Sequence, residues 1–437
     1  MQPLNKPNSL KRVAMATMIG TAIEYFDNYI YTMAAVLIFN HQFFHAADPL
    51  SGQIAALSTL ALTFIARPLG AILFGHFGDC FGRKNTFVIS LLVMGVSTMV
   101  IGLLPTYDSI GIWATLLLCL CRIGQGIGLG GEWGGAALVA IENAPEGKRG
   151  WYGTFPQLGA PLGLLLANGA FLLITDILGS AAMTDWAWRI PFLSSSILVV
   201  IGLYVRLKLA EAPIFVTALD KPQPKTLPMV EVIITHFKPF FLGMLICIAG
   251  YVLFYIIIAF SQIYAKSAPS QSEAGYAMGL GFSPQIFTAL LMYSAVSLAI
   301  SITISGKCID KIGRRIWLIW TTVAVAIFGL ALPYFLENGT TVSLFWFLII
   351  GMGLIGMGYG PLSSFLPELF PTHVRYTGAS LTYNIAGLFG ASVAAIIALP
   401  LNANYGLKGV GIYLTLNAVL SLIGLWFITE TRDRQLL

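Results

Sequence analysis

The chain has 437 residues, of which 57% are hydrophobic and only 10% are charged, with a formal net charge of +5. Soluble proteins carry about 25% charged residues, so this composition excludes an ordinary soluble domain and predicts a protein embedded in lipid. The small net charge gives no reason to expect nucleic-acid binding.

Membrane-spanning helices need about 20 predominantly apolar residues. We predict an all-α membrane protein with twelve such spans, at 14–39, 53–78, 86–105, 112–142, 150–176, 190–209, 238–264, 284–305, 316–336, 342–366, 376–401 and 408–429. The longest hydrophilic stretch follows the sixth span. The predicted domains are therefore an N-terminal six-helix bundle (1–209), a cytoplasmic inter-domain loop (210–237) and a C-terminal six-helix bundle (238–437).

The distribution of Lys and Arg predicts the orientation. With the N-terminus inside, 19 of the 24 basic residues fall in cytoplasmic segments, three fall outside and two fall within the membrane. Cytoplasmic loops carry such an excess of positive charge. We therefore predict a multi-pass protein of the bacterial inner (plasma) membrane with both termini in the cytoplasm.

Two motifs occur twice along the chain. Residues 75–84 (GHFGDCFGRK) and 306–315 (GKCIDKIGRR) share G-x-x-x-D-x-x-G-R-[KR] at an offset of 231. Residues 142–149 and 368–375 share E-x-x-P-x-x-x-R at an offset of 226. Both offsets are about half the chain, which predicts two parallel six-helix repeats, an arrangement typical of transporters.

The first of these motifs resembles the signature loop of the major facilitator superfamily. Further stretches resemble the bacterial metabolite:proton symporter family within it, namely EYFD (24–27), RPLG (67–70), GGEWGGAAL (130–138), WRIPF (188–192) and PELFPTHVRYTGAS (367–380). Members of that family carry shikimate, α-ketoglutarate, citrate or proline/betaine. The resemblance implies proton-coupled transport, although Cys80 replaces the Arg or Lys usual in the signature loop and Asn28 stands where an aromatic residue is common.

The stretch GQGIGLGGEWGG (124–135) contains G-x-G-x-x-G, the spelling of a dinucleotide-binding loop. That loop requires a preceding strand and a βαβ unit, whereas this stretch lies inside the fourth apolar span. Its glycines recur every four residues, which predicts close approach of neighbouring helices. We expect no cofactor and no metal site.

Five ionisable residues fall inside the predicted spans: Glu24, Asp27, Arg67, Arg122 and Glu132. Charges within the membrane usually face a cavity and mark a transport pathway, and the alternative is a structural ion pair. This set sums to −1, so protonation of one carboxylate would neutralise it. We predict Asp27 as the proton carrier and Glu24 as the second candidate, while Glu132 is either a third or a structural partner of an arginine.

Arg122 and Arg67 are predicted to hold a substrate carboxylate, because the guanidinium fork matches that group. The resemblance points the same way, since related proton-coupled sugar carriers use a first-helix Asp near a fourth-helix Arg. Further pocket candidates are the polar residues within spans: Tyr31, Tyr251, Tyr255, Gln262, Tyr383 and Asn384. The expected partners are a small carboxylate or zwitterion, a proton and the lipid bilayer, and the protein is expected to be a monomer.

The repeated motifs supply candidates for a cytoplasmic gate, which are Asp79, Arg83, Glu142, Arg149, Asp310, Arg314, Glu368 and Arg375. The motif glycines predict a tight turn after the second span. Asp79 is suited to accept hydrogen bonds from a helix N-terminus. The resemblance implies a pair between Arg83 and Glu142, and the repeat implies a second pair between Arg314 and Glu368. The alternative is that these charges only set the topology.

The sequence as a whole predicts a proton-coupled secondary active transporter, a symporter that imports a small organic anion or zwitterion by alternating access. An exchanger or a uniporter of the same fold remains an alternative. An integral membrane enzyme or a non-transporting receptor is the alternative of a different class. We do not expect an enzyme, because no nucleophile–His pair is evident.

Overall fold

The computed structural model describes residues 9–44, 49–81, 83–207 and 227–434. Regular structure in these residues is helical apart from one isolated bridge, between Gln271 and Ala277. The helices are α1 (Leu10–Ala34), α2 (Pro49–Phe81), α3 (Arg83–Leu103), α4 (Ile112–Glu142), α5 (Arg149–Ala187), α6 (Arg189–Leu207), α7 (Phe237–Lys266), α8 (Pro284–Ile312), α9 (Arg314–Leu336), α10 (Thr341–Glu368), and α11 and α12 within Thr372–Phe427. Two short helices, Tyr107–Ile110 and Pro228–Ile234, precede α4 and α7.

Ten stretches among the described residues are long and apolar enough to cross a membrane. The last of them is interrupted at Gly406, where φ is +67°, so residues 375–405 form α11 and residues 407–427 form α12. The helix α1, with Glu24 and Asp27 near its middle, completes the twelve. The predicted fold class is thereby confirmed. The predicted domain boundaries stay predictions, because residues 208–226 lie outside the described residues.

The repeated G-x-x-x-D motifs lie mostly within helices rather than in loops. The helices α2 and α8 continue to residues 81 and 312, so the first glycine of each motif lies within a helix, and Gly82, where the first motif would turn, lies outside the described residues. Gly75 and Gly306 instead permit close contact, since a Cβ at either would collide with Thr377 or Thr154 of the other half. The turn in the second motif comes at Gly313, where φ is +106°.

The glycines of α4 lie where the helix meets its neighbours, as their spacing predicts. A Cβ at Gly126 would collide with Thr63 O, and one at Gly130 would collide with Arg67 O, both on α2. A Cβ at Gly134 would collide with Ser380 on α11 of the other half. The helix therefore packs closely on both sides and brings the polar residues of α2 and α4 together.

The first and last described residues lie at one face of the helical bundle, here called the terminal face. Val13 of α1 packs in a cluster with Val139 and Val205, near the ends of α4 and α6. Arg149, at the start of α5, donates a 2.6 Å hydrogen bond to the carbonyl oxygen of Arg434, beyond the end of α12.

Candidate transport site and gate

A cavity of about 1070 Å³ of empty volume lies between the two halves. The first half contributes side chains of α1 and α2, and the second contributes aromatic side chains of α7, α10 and α11. The polar and aromatic lining residues are Glu24, Tyr25, Asn28, Phe64, Arg67, Tyr251, Phe254, Tyr255, Thr321, Thr322, Tyr359 and Tyr383. Of the predicted site residues, the structure thus brings Glu24, Arg67, Tyr251, Tyr255 and Tyr383 together around one space.

One acid and one base face this cavity without pairing to each other. Glu24 is 7% exposed and Arg67 is 8% exposed. Glu24 Oε2 and Arg67 Nε have no hydrogen-bond partner among the described residues. The Arg67 guanidinium instead lies 4.3 Å from the centroid of the Phe64 ring. Buried polar atoms are normally paired, so both groups are available to a ligand.

Aromatic rings form most of the remaining wall. The hydroxyl oxygens of Tyr25 and Tyr359 lie 2.7 Å apart and join the halves. The rings of Tyr251 and Tyr383 lie 5.1 Å apart. Sequence reasoning missed Tyr25, Asn28 and Tyr359. The spacing from Glu24 to Asn28 is one helical turn, which was the available signal for Asn28.

Asp27 does not line the cavity but is buried within the first half, with 1% exposure. Its Oδ1 accepts a 2.6 Å hydrogen bond from the Ser195 hydroxyl of α6. Its Oδ2 accepts a 2.8 Å hydrogen bond from the Thr98 hydroxyl of α3. No cationic nitrogen of the described residues forms an ion pair with Asp27. Its neighbours are thus neutral hydroxyl groups.

Arg122 is also buried away from the cavity, and it reaches Asp27 only indirectly. Its guanidinium lies 3.6 Å from the centroid of the Tyr31 ring, and its Nη1 donates a 2.6 Å hydrogen bond to Gln125 Oε1. Gln125 Nε2 donates a 2.7 Å hydrogen bond to the Thr98 hydroxyl. A polar chain therefore runs from Arg122 through Gln125 and Thr98 to Asp27.

Glu132 forms a buried ion pair with Arg206 of α6. Arg206 also donates a 2.6 Å hydrogen bond to Phe87 O and stacks on the Phe87 ring. Arg206 lies in the last turn of α6 and is fully buried. With Arg206 included, the buried set contains three acids and three arginines. Its formal charge is therefore zero and not the expected −1.

Three further pocket candidates, Asn384, Gln262 and Tyr31, do not line the cavity. Asn384 donates hydrogen bonds to Gly130 O at 3.0 Å and to Ser380 O at 2.8 Å, so it ties α11 to α4. Gln262 is 4% exposed in α7. Tyr31 contacts Arg122 and lies 2.5 Å from the Thr59 hydroxyl.

The aspartates of the two repeated motifs connect the halves at the terminal face in the same way. Asp310, at the end of α8, accepts hydrogen bonds from the backbone N–H groups of Gly150 and Trp151 at 2.8 and 2.9 Å. Asp79 accepts hydrogen bonds from the backbone N–H groups of Tyr376 and Thr377 at 3.2 and 2.9 Å. Each carboxylate therefore caps the N-terminus of a helix in the opposite half, where negative charge is favourable.

The arginines and glutamates of the gate form pairs within and between the halves. Arg314 Nη2 lies 3.2 Å from Glu368 Oε1, the pair that the repeat implies, but both residues belong to the second half. Arg375 Nη1 lies 3.6 Å from Glu142 Oε1 and crosses between the halves. The side chain of Arg83 lies outside the described residues.

Comparison with known proteins identifies the family. A family model described as Major Facilitator Superfamily matches residues 17–395. The chain belongs to this superfamily. Solved structures of the proton:xylose symporter XylE show the same fold as this facilitator. One bound to 6-bromo-6-deoxy-D-glucose matches with a TM-score of 0.75 and 15% identity, covering 98% of this chain and 97% of that one.

Curated relatives of this facilitator are named transport proteins. A "Putative metabolite transport protein" of Haemophilus influenzae is 86% identical over 100% of this chain and 97% of the relative. The "Inner membrane metabolite transport protein YhjE" of Escherichia coli is 47% identical over 98% and 96%. The proline/betaine transporter of E. coli is 32% identical over 98% and 85%. This facilitator is therefore a multi-pass membrane transporter of metabolites and not an enzyme.

Proposed function

We propose that this facilitator is a proton-coupled symporter that imports a small organic anion or zwitterion by alternating access. The proposal rests on the different surroundings of two acidic residues of α1, Glu24 and Asp27. Glu24 faces the central cavity together with Arg67. Asp27, three residues later, is sealed against α3 and α6. One helix thus borders both a substrate compartment and a proton compartment, so a movement of α1 affects both.

The surroundings of Asp27 suit either protonation state. The Thr98 and Ser195 hydroxyls donate to the carboxylate. When Asp27 is protonated, Thr98 can turn its hydrogen to Met94 O, which lies 3.1 Å away. A hydroxyl accepts as well as donates, so the acid proton keeps a partner. An unpaired buried carboxylate is costly, which favours exchange of its proton during the cycle.

The chain through Gln125 supplies a means of proton release. A cation that approaches a carboxylate stabilises its charged form. Arg122 is held at one end of the chain by Gln125 and by the Tyr31 ring. Movement of Arg122 toward Asp27 would stabilise the carboxylate and expel the proton, and the return movement would permit reprotonation.

The cavity is suited to a ligand that carries a carboxylate, with or without a cationic group. The Arg67 guanidinium can donate two parallel hydrogen bonds to one carboxylate group. The Glu24 carboxyl and the faces of the surrounding tyrosine rings attract a cation. Relatives named proline/betaine and shikimate transporters support this substrate class. The three buried acids and three buried arginines sum to zero, so these buried charges stay balanced when a zwitterion binds.

In this proposal the bundles 1–209 and 238–437 rock about the cavity, and the aspartate caps hold the terminal face closed while the cavity communicates with the other face. The excess of Lys and Arg in the segments at the terminal face supports a cytoplasmic location for that face. The relative named an inner membrane protein supports the bacterial inner membrane as the location.

The test uses the purified protein in proteoliposomes. Ligands are first selected by thermal shift among carboxylates and betaines, and solute uptake and proton uptake are then measured together. Asp27→Asn preserves shape and both hydrogen bonds but removes the titrating group, so uphill uptake should be lost while exchange of labelled for unlabelled solute continues. The exposed Asp185→Asn is the matched control and should behave as wild type.

Two results would contradict the proposal. Uphill accumulation that persists in Asp27→Asn would remove Asp27 from the proton pathway. Solute uptake by the wild type without proton movement would instead identify an exchanger or a uniporter.

A further inference from the structure

A second pocket lies at the terminal face, within the second half and separate from the central cavity. It contains about 1090 Å³ of empty volume and is bounded by the start of α7, the connection from α10 to α11 and the chain that follows α12. The two pockets share no lining residue. Four of its lining residues are basic, His236, Lys238, Arg375 and Arg434, and we call this space the basic pocket.

The basic pocket carries an excess of positive charge. Glu368 is the acid that lines it, and its charge is already engaged. Glu368 Oε1 lies 3.2 Å from Arg314, and Oε2 accepts a 2.6 Å hydrogen bond from the Thr431 hydroxyl. Lys238 makes no hydrogen bond or ion pair with another residue of the described ranges. His236 lies 3.7 Å from Glu231, and Arg375 lies 3.6 Å from Glu142. Lys238 and Arg434 therefore remain as pocket cations without an acidic partner among the described residues.

Arg375 is the buried member of this group, with 2% exposure. Its Nε donates a 3.1 Å hydrogen bond to Phe370 O. Its Nη1 lies 3.6 Å from Glu142 Oε1 but makes no hydrogen bond among the described residues. A guanidinium N–H that is buried without a hydrogen bond is unusual, and Arg375 lines the pocket, so an acceptor bound there could receive its hydrogen bond.

We propose that the basic pocket binds the phosphate group of an anionic phospholipid. Phosphate oxygens match the guanidinium fork and the lysine ammonium, and basic pockets between membrane helices are suited to lipid headgroups. The position favours a lipid over free phosphate, because exposed aromatic rings stand at the ends of α7 and α12 beside the pocket, and Trp is enriched where membrane helices meet the interface. Phe427 lines the pocket and is 60% exposed, and Trp426 and Phe237 are also exposed.

The bound phosphate would also act on the gate. Arg375 is shared between the basic pocket and Glu142 of the first half. A phosphate that engages Arg375 competes with Glu142, so it weakens a contact that holds the terminal face closed. Anionic lipid is therefore expected to bias this transporter toward opening of that face.

The test measures lipid retained by the full-length protein. Native mass spectrometry is carried out after exchange into detergent with phosphatidylglycerol or phosphatidylcholine, and inorganic phosphate is titrated as a competitor. The double variant K238Q/R434Q removes two cations of the pocket. The matched control is Arg432→Gln, an exposed arginine of the same C-terminal segment that does not line the pocket.

We expect wild type and Arg432→Gln to retain phosphatidylglycerol in preference to phosphatidylcholine. The double variant should bind phosphatidylglycerol about 30-fold more weakly, the loss expected for two cations at an anionic surface. Equal retention by wild type and the double variant would overturn the proposal. Displacement of the lipid by inorganic phosphate at equal concentration would also overturn it, since the pocket would then be a site for free phosphate.

Discussion

The aspartate caps predict a measurable shift in the opening of the terminal face when Asp310 is replaced by asparagine. Asp310 accepts two backbone hydrogen bonds across the halves, from Gly150 and Trp151, and its Oδ1 also lies 3.3 Å from Arg314 Nη2. Hydrogen bonds to a charged group contribute about 1.5–3 kcal/mol each. Asparagine keeps one neutral hydrogen bond, of about 1 kcal/mol, and loses the favourable charge at the helix N-terminus.

These terms sum to a loss of at least about 2 kcal/mol in the closed state. In the open state Asp310 is solvated, so the substitution has little effect there. The ratio of open to closed molecules should therefore rise at least about 30-fold. A ligand or mutation shifts such an equilibrium only by its difference in free energy between the two states.

The assay is a distance measurement between spin labels at Glu146 and Arg432. Both are exposed at the terminal face, one in each half, and the five native cysteines are replaced beforehand. Asp310→Asn should move population from the short to the long distance, and the exposed Asp433→Asn serves as the control. An unchanged distance distribution in Asp310→Asn would show that the cap does not hold the face closed.

Two further substitutions test the central site and the buried ion pair. Arg67→Lys should weaken binding of carboxylate ligands about tenfold in a thermal-shift titration, because one hydrogen bond to the ligand is lost. Arg122→Lys is the control and should leave the affinity unchanged. Equal losses of affinity in both variants would mean that the cavity does not select the substrate through Arg67. Glu132→Ala leaves Arg206 buried and uncompensated, so it should destabilise the protein by about 3–5 kcal/mol. Unfolding in detergent measures this, and a midpoint matching that of the exposed control Glu146→Ala would refute it.

Much of the architecture was predictable because the membrane imposes simple rules on the sequence. Apolar runs predicted the twelve spans, since each crossing needs a minimum length of apolar helix. The offset between the two copies of each motif, about half the chain, predicted the two-fold repeat. The glycine spacing in α4 predicted close contact with its neighbours, and the expectation that Asp79 receives hydrogen bonds from a helix N-terminus matches the observed cap on α11.

The site was only partly predictable. Glu24, Arg67 and three tyrosines face the cavity, as their polarity within apolar spans suggested. Asp27 and Arg122 instead face neighbouring helices of the first half. The sequence does not show whether such a residue faces the cavity or a neighbouring helix, because an arginine or aspartate inside a span looks the same in both cases.

The sequence by itself determined how many times the chain crosses the membrane, which residues are ionisable within it and which motifs repeat. The tertiary structure alone decided the direction in which each side chain points. Membrane helices are apolar toward lipid as well as toward the interior, so the pattern of apolar residues says little about helix rotation. Long side chains add to the ambiguity, as when Arg206 reaches inward from the end of α6 to Glu132. Only the packing of the helices against one another determines the rotation of each helix and the direction in which its long side chains extend.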